Sequence, residues 1–339
     1  MIQSSAEKKM RAKKETLQSR AKKSILWGHG KKVLSLSWNV NGDYLVSGSN
    51  DYTIRLWSAG RKFACERTLK AHKKPVEQVA FSPVDPNIMV SAGEDSQLYF
   101  WDTRKSKPFQ VIETDGNNIN VAWSPDGSHI AIGNKDDEVM IVSNKYRSVL
   151  SSLKYNHEVN QLRWDKTGKW LFMAAYQSRC GGCVDVMKCE YQASNNDLKA
   201  VSLHRRLIGH TSKCYSIDID PRGKYLASGS DDAMVCIWDL DDYTCRKTIS
   251  RLEWPVQTLS FSFDGSLLAC GSEDSFVEVA DVETGEQIWR QAKKGLTDAV
   301  AWHPQQPILA HASEAYAAGG RGEAPGSDRG AIHVVSFTK

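Results

Sequence analysis

Apolar and polar residues alternate in short runs along most of the chain. LYFW at 98–101 and VCIW at 235–238 are examples. This period of two predicts β-strands, because successive side chains of a strand point to opposite faces. The runs are bounded by Asp-Gly, Ser-Pro and Gly-rich turns, and long helical periodicity is almost absent. The strands come in sets. Each set opens on Gly-His or a turn and enters an alternating strand with an aromatic. A turn, a second strand ending in small residues, an Asp turn and a third strand follow. The first copy runs from His29 through SLSWNVNGDYLVSGSNDYTIRLW to Trp57, the second from His72 to Trp101, and the fifth from His210 to Trp238.

Weaker copies end at Val142, Met187, Ala280 and Val335. The seven ends are spaced by 44, 41, 45, 51, 42 and 55 residues, close to the period of about 40–45 expected of WD repeats. The two long intervals hold polar insertions, 191–202 and 317–330, which read as surface loops. A finer spacing accompanies the period. His29, Ser47, Asp51 and Trp57 recur as His72, Ser91, Asp95 and Trp101, and again as His210, Ser228, Asp232 and Trp238. Asp precedes Trp by six residues each time, and Ser precedes Asp by four. An Asp in the turn can accept from the His ring, the His can orient the Ser, and the Ser can meet the indole N–H. Buried His and Trp groups need such partners. A His/Asp/Ser set also resembles a catalytic triad. Three such sets in one chain favour structural staples, since an enzyme needs one site.

These observations predict an all-β fold, a seven-bladed WD-repeat β-propeller over 24–339 with a short basic N-terminal extension over 1–23. The chain ends on a third strand, Ile332 to Phe337, so the outermost strand of the last blade is missing. The apolar Ser24–Trp27 can supply it and close the ring.

Charge changes the picture at one end. Residues 1–32 carry ten Lys/Arg against Glu7 and Glu15, whereas the rest has a net charge of −4. The extension reads as disordered or helical. Lys8, Lys9, Arg11, Lys13, Lys14, Lys22 and Lys23 are candidates for contact with RNA or an import receptor. No aromatics are interleaved there, so base stacking is not indicated. No apolar stretch follows the basic start, and no run approaches a membrane span, so no membrane partner is expected.

The eight cysteines are sparse, and several sit in apolar runs. They are expected to be free thiols in a reducing compartment. The one sharp constellation is Cys180-Gly-Gly-Cys183 with Cys189 six residues on. These are weak metal candidates, because a structural zinc wants four ligands and no second pair exists. The place matches the Asp turn of other copies, so a Gly-Gly hairpin turn flanked by thiols is expected, with no metal and no cofactor. No Walker loop, GxSxG elbow or HExxH is present, and Gly320–Gly326 lacks the strand and helix of a phosphate loop.

More specific than the repeats are NINVAWSPDGSHIAIGNKDD at 118–137, SRLEWPVQTLSFSFDG at 250–265, VETGEQIW at 282–289 and VAWHPQQPILA at 300–310. In matching blades and order, they resemble the THO complex subunit 3 family, over about residues 25–339. The resemblance implies a nuclear, non-enzymatic subunit of the assembly that packages nascent messenger RNA and couples transcription to export. It implies docking on a large helical scaffold subunit among other THO subunits, and an indirect link to a DEAD-box helicase. The CGGC turn, the long stretch between blades 4 and 5 and the Gly-rich insertion of blade 7 depart from that pattern. A different class of function, a propeller reading a peptide tail in its central channel, would need a charged or aromatic mouth, for which Trp254 and Arg251 are candidates. An enzyme built on the CGGC knuckle is a third.

Overall fold

The computed structural model describes residues 13–15, 17–192, 198–293, 295–313 and 330–337. Seven four-stranded antiparallel sheets follow one another as blades of a ring. Six are built in chain order: blade 1 over 33–70, blade 2 over 76–113, blade 3 over 118–154, blade 4 over 158–208, blade 5 over 214–249 and blade 6 over 256–292. The seventh takes three strands from 297–336, and its outermost strand is Lys22–Leu26. That strand pairs antiparallel with Ala331–Ser336, from Lys22 opposite Ser336 to Leu26 opposite Ile332. The closing strand therefore starts two residues before Ser24 and ends before Trp27, which stands 51% exposed. The last sheet joins the first residues to the last ones.

The second strands explain why the blades assemble. Leu267–Ser272, Tyr225–Ser230 and His129–Asn134 are buried at every position. Alternation sends their side chains to both faces, so each sheet needs a neighbour on both sides. The buried apolar residues accordingly form a cluster at each of the seven blade junctions. The cluster that includes Leu26 joins blade 7 to blade 1, through Trp38, Trp57 and Val334.

One insertion looks different in three dimensions. The stretch 191–202, expected as a loop between blades 4 and 5, lies inside blade 4. Gly181–Tyr191 and Leu198–Ile208 are eleven-residue strands paired out to Tyr191–Leu198. Polar residues such as Lys199 and Ser202 face outward while Leu198 is buried, so a half-exposed hairpin carries a polar sequence. The other insertion, 317–330, lies outside the described residues except for Gly330. No helix among the described residues is long and apolar enough to cross a membrane.

Residues 13–15 and 17–20 are helical. Leu17 is buried against the cluster of blades 6 and 7, which includes Trp289, Trp302 and Phe337, and Lys13 Nζ lies 2.6 Å from Asp281 Oδ2. The basic extension is thus anchored to the body from residue 13 onward. Deleting residues 1–28 removes both the closing strand and this helix, and it should lower the melting temperature by roughly 5 °C or more. Unchanged thermal denaturation would show that the ring does not need them.

Candidate functional site

In an antiparallel four-stranded blade the turn between strands 2 and 3 lies at the same end as the connection to the next blade. His29, in such a connection, therefore meets Asp51, in such a turn. His29 Nδ1 donates to Asp51 Oδ2 at 2.9 Å, and Ser47 Oγ donates to His29 Nε2 at 2.7 Å. Ser47 Oγ in turn accepts from Trp57 Nε1 at 2.9 Å. The carboxylate can only accept, so it sets the tautomer and every later donor and acceptor along the line. Blade 2 repeats this with His72, Asp95, Ser91 and Trp101 at 3.0, 2.7 and 2.8 Å. Blade 5 repeats it with His210, Asp232, Ser228 and Trp238 at 3.3, 2.8 and 2.9 Å. Backbone N–H groups of Gly30, Lys73 and Thr211 also donate to the three carboxylates. Burial opposes ionisation of Asp51, Asp95 and Asp232. Hydrogen bonds from the His ring and the backbone outweigh it, holding all three below the usual carboxylate range, Asp232 at about 2. The serines are fully buried and their oxygens already face a Trp donor. No substrate carbonyl can reach them.

The channel is set by a feature that period-two patterning does not reveal. The innermost strand of every blade has a register shift near its start, before the third residue in six blades and before the fourth in blade 4. The skipped residues are Leu34, Glu77, Ile119, Asn160, Tyr215, Gln257 and Asp298. A bulged residue leaves the ladder and is re-aimed; here all seven line a central cavity of about 210 Å³. The residues after the bulges stitch neighbouring blades together. Ser35, Gln78, Gln161, Ser216 and Thr258 accept from the backbone N–H of Val79, Val121, Ile217, Leu259 and Val300 in the next blade. Asn120 holds the same position in blade 3, yet neither atom of its buried amide has a partner. The ring carries one aromatic, Tyr215, and is otherwise mixed. Of the two candidates for its mouth, Trp254 is exposed, but Arg251 is paired with Glu278 and donates to Gly285 O. Burial pushes Glu77 up to about 7, which Lys135 opposes and Glu94 reinforces.

The CGGC segment is not a Gly-Gly turn. The turn is 178–180, and both glycines belong to the third strand of blade 4, with Gly181 opposite Gln177. The glycines serve close approach instead. A Cβ on Gly182 would stand 2.0 Å from Ser212 O, and one on Gly181, at φ +79, would stand 2.5 Å from His210 O. Cys183 and Cys189 lie on one strand, about 20 Å apart at the usual rise per residue, so they cannot share an ion. Burial raises the two thiols to about 11 and 12. No group of three or more His, Cys, Asp or Glu among the described residues could hold a metal. All cysteines are free.

Of the arm candidates, Lys8, Lys9 and Arg11 lie outside the described residues. Lys13 is committed to Asp281, Lys14 is half-buried on the anchored helix, and Lys22 and Lys23 are exposed on the closing strand. One signal for the anchored helix was legible, the single apolar Leu17 in a polar run.

Family models for the WD domain, G-beta repeat match residues 21–58, 63–102, 201–239 and 244–281. One for the anaphase-promoting complex subunit 4 WD40 domain matches 88–167. THO complex subunit 3 of Arabidopsis thaliana is 38% identical over 290 residues, 85% of this chain and 88% of that protein. WD repeat-containing protein AAC3 of Dictyostelium discoideum is 32% identical over 310 residues, 85% of this chain and 63% of that protein. Pre-mRNA-processing factor 19 homolog 2 of Arabidopsis thaliana is 25% identical over 277 residues, 78% of this chain and 48% of that protein.

Asp232→Ala leaves the buried His–Ser–Trp line of blade 5 without its acceptor and should destabilise the fold by about 1–3 kcal/mol in equilibrium denaturation. The carboxyl is depressed on folding, so its contribution is present above pH 4 or so and is lost as pH falls towards 2. Glu77 has the opposite sign. Its folded value lies above the ordinary 4.5, so it weakens the fold as pH rises towards 7. Glu77→Gln should raise the melting temperature at pH 8 and leave it nearly unchanged at pH 4; equal shifts at both would exclude a buried, titrating carboxyl.

Proposed function

The chain belongs to the THO complex subunit 3 family of WD-repeat proteins, and we propose that it acts as a non-enzymatic scaffold subunit of a nuclear THO assembly supporting messenger-RNA packaging and export. The observation that carries this is the 38% identity to the Arabidopsis protein across 85% of this chain and 88% of that one, well beyond the stretches matched as WD repeats. The fold supports it physically. A ring packed at every junction and stitched at five of them is rigid, so it offers two ends and a circumference to several partners at little ordering cost. The His–Asp–Ser sets of blades 1, 2 and 5 are consumed inside the blades.

In this reading the body docks on other THO subunits, a large helical scaffold subunit foremost, and meets a DEAD-box helicase only through them. The N-terminal cations Lys8, Lys9, Arg11, Lys14, Lys22 and Lys23 serve RNA or an import receptor, electrostatically and therefore with strong salt dependence. Lys13 is set apart by its ion pair with Asp281.

The chain should co-purify with THO subunits from nuclear extract, and nuclease should leave the association intact. Charge reversal of Lys8, Lys9, Arg11 and Lys14, sparing Lys13, should retain that association in vitro while reducing nuclear entry, RNA crosslinking or both. Dissolution by nuclease would show that RNA, not protein docking, holds the assembly.

A further inference from the structure

The turn between strands 2 and 3 takes the same form in blades 1, 2, 3 and 5. Its fourth residue donates to the carbonyl of its first: Tyr52 to Ser49, Ser96 to Gly93, Asp137 to Asn134 and Ala233 to Ser230. That fourth residue sits in left-handed backbone, at φ 68, 59, 59 and 62 respectively. Small or Asx residues tolerate this region, whereas a bulky one there is an outlier. Ser96 and Ala233 show that the turn itself asks for no large side chain. Blade 1 nonetheless places a tyrosine there, 41% exposed, with Lys31 Nζ 5.5 Å from the ring centroid.

Around this ring the same end of blades 1 and 2 is basic. Lys70 stands opposite Thr53, the residue after Tyr52, on the neighbouring strand. Lys73 and Lys74 follow in the connection to blade 2, and Lys31, Lys70, Lys73 and Lys74 are all exposed. The acids at this end are held by partners: the Asp51 and Asp95 carboxylates stay charged but are drawn into the turns by His29 and His72, Lys32 lies 2.8 Å from Asp298, and Lys135 pairs with Glu94. Trp27, in the connection that also carries Lys31, adds a second exposed aromatic. The anchored helix, by contrast, meets Asp281 at the end of the third strand of blade 6, and so lies at the opposite end of the ring.

We propose that Tyr52, Trp27 and the lysines Lys31, Lys70, Lys73 and Lys74 form a binding surface for single-stranded nucleic acid. Open aromatic faces beside unpaired cations suit unstacked bases on a phosphate backbone, because every base has a stacking face and every linkage a charge. A duplex would require an element shaped to a groove, and this end of blades 1 and 2 presents only turns. The proposal rests on the scaffold reading above, which supplies RNA as the source of the strand and previously left its contact to the N-terminal cations alone.

The test is fluorescence anisotropy of a labelled oligouridine with the full chain, against oligothymidine, a duplex and a polyglutamate peptide. Tyr52→Ser installs the residue that already occupies this turn in blade 2, so folding is retained, and thermal denaturation verifies it. It should weaken oligouridine binding about tenfold. Changing Lys70, Lys73 and Lys74 to Gln should reduce the slope of log affinity against log salt by roughly 2, at about 0.7 per lost phosphate contact. Oligothymidine binding equally well would identify the surface as one for any single strand, and weaker binding as one for RNA. Unchanged affinity in Tyr52→Ser, tighter binding of the duplex, or polyglutamate outcompeting oligouridine would overturn the proposal. Nuclease-resistant co-purification of Tyr52→Ser with THO subunits keeps these outcomes separate from the scaffold reading, which fails only if wild type does not co-purify.

Discussion

No blade of this protein can bury its own apolar surface. Each second strand is apolar on both faces, so a sheet is stable only between two others, and the row of blades has no natural end until it meets its beginning. Everything else follows from that demand for closure. The seven clusters at the junctions replace one central core, and removing a neighbour would expose a whole face at about 25 cal/mol per Å². The ring is completed by strand Lys22–Leu26, which makes the sequence ends, ordinarily the least consequential part of a domain, the place where closure is decided.

Closure leaves polar groups to be satisfied inside the blades, and three blades use one solution. An Asp in a tight turn fixes a His, the His fixes a Ser, and the Ser receives the Trp indole. Each link determines the next, so the line works as a unit. The same turn holds its fourth residue in left-handed backbone, in blade 3 as well as in the three stapled blades. The turn asks for no large side chain at that position: in blade 5 it is Ala233, packed against the cluster between blades 5 and 6. Blade 1 has Tyr52 there.

The innermost strands face a different constraint. Seven of them converge on one axis, and a bulge near the start of each turns one side chain inward while the next reaches across to the adjacent blade. Rigidity and channel chemistry are consequences of one irregularity. The stitch is missing at two junctions, after blade 3, where the Asn120 amide is unpartnered, and after blade 7, where Ala299 has no polar group to offer.

The period of about 43 residues, the His–Ser–Asp–Trp spacing and the missing last strand are local or periodic, and they were sufficient to determine seven blades, the staple residues and closure from the N-terminal side. The resemblance in blades 3, 6 and 7 pointed to the family. What the tertiary structure decided depends on approach between residues distant in sequence. The two glycines after Cys180 are needed by the backbone of Ser212 and His210, not by a turn. Within the polar stretch 191–202, Tyr191 and residues 198–202 are strand because they run beside one another, and Leu17 anchors the extension because two blades leave a seat between them. The channel ring and the surface around Tyr52 likewise join residues from separate blades, and their proximity comes from the curvature of the ring, which no linear spacing records.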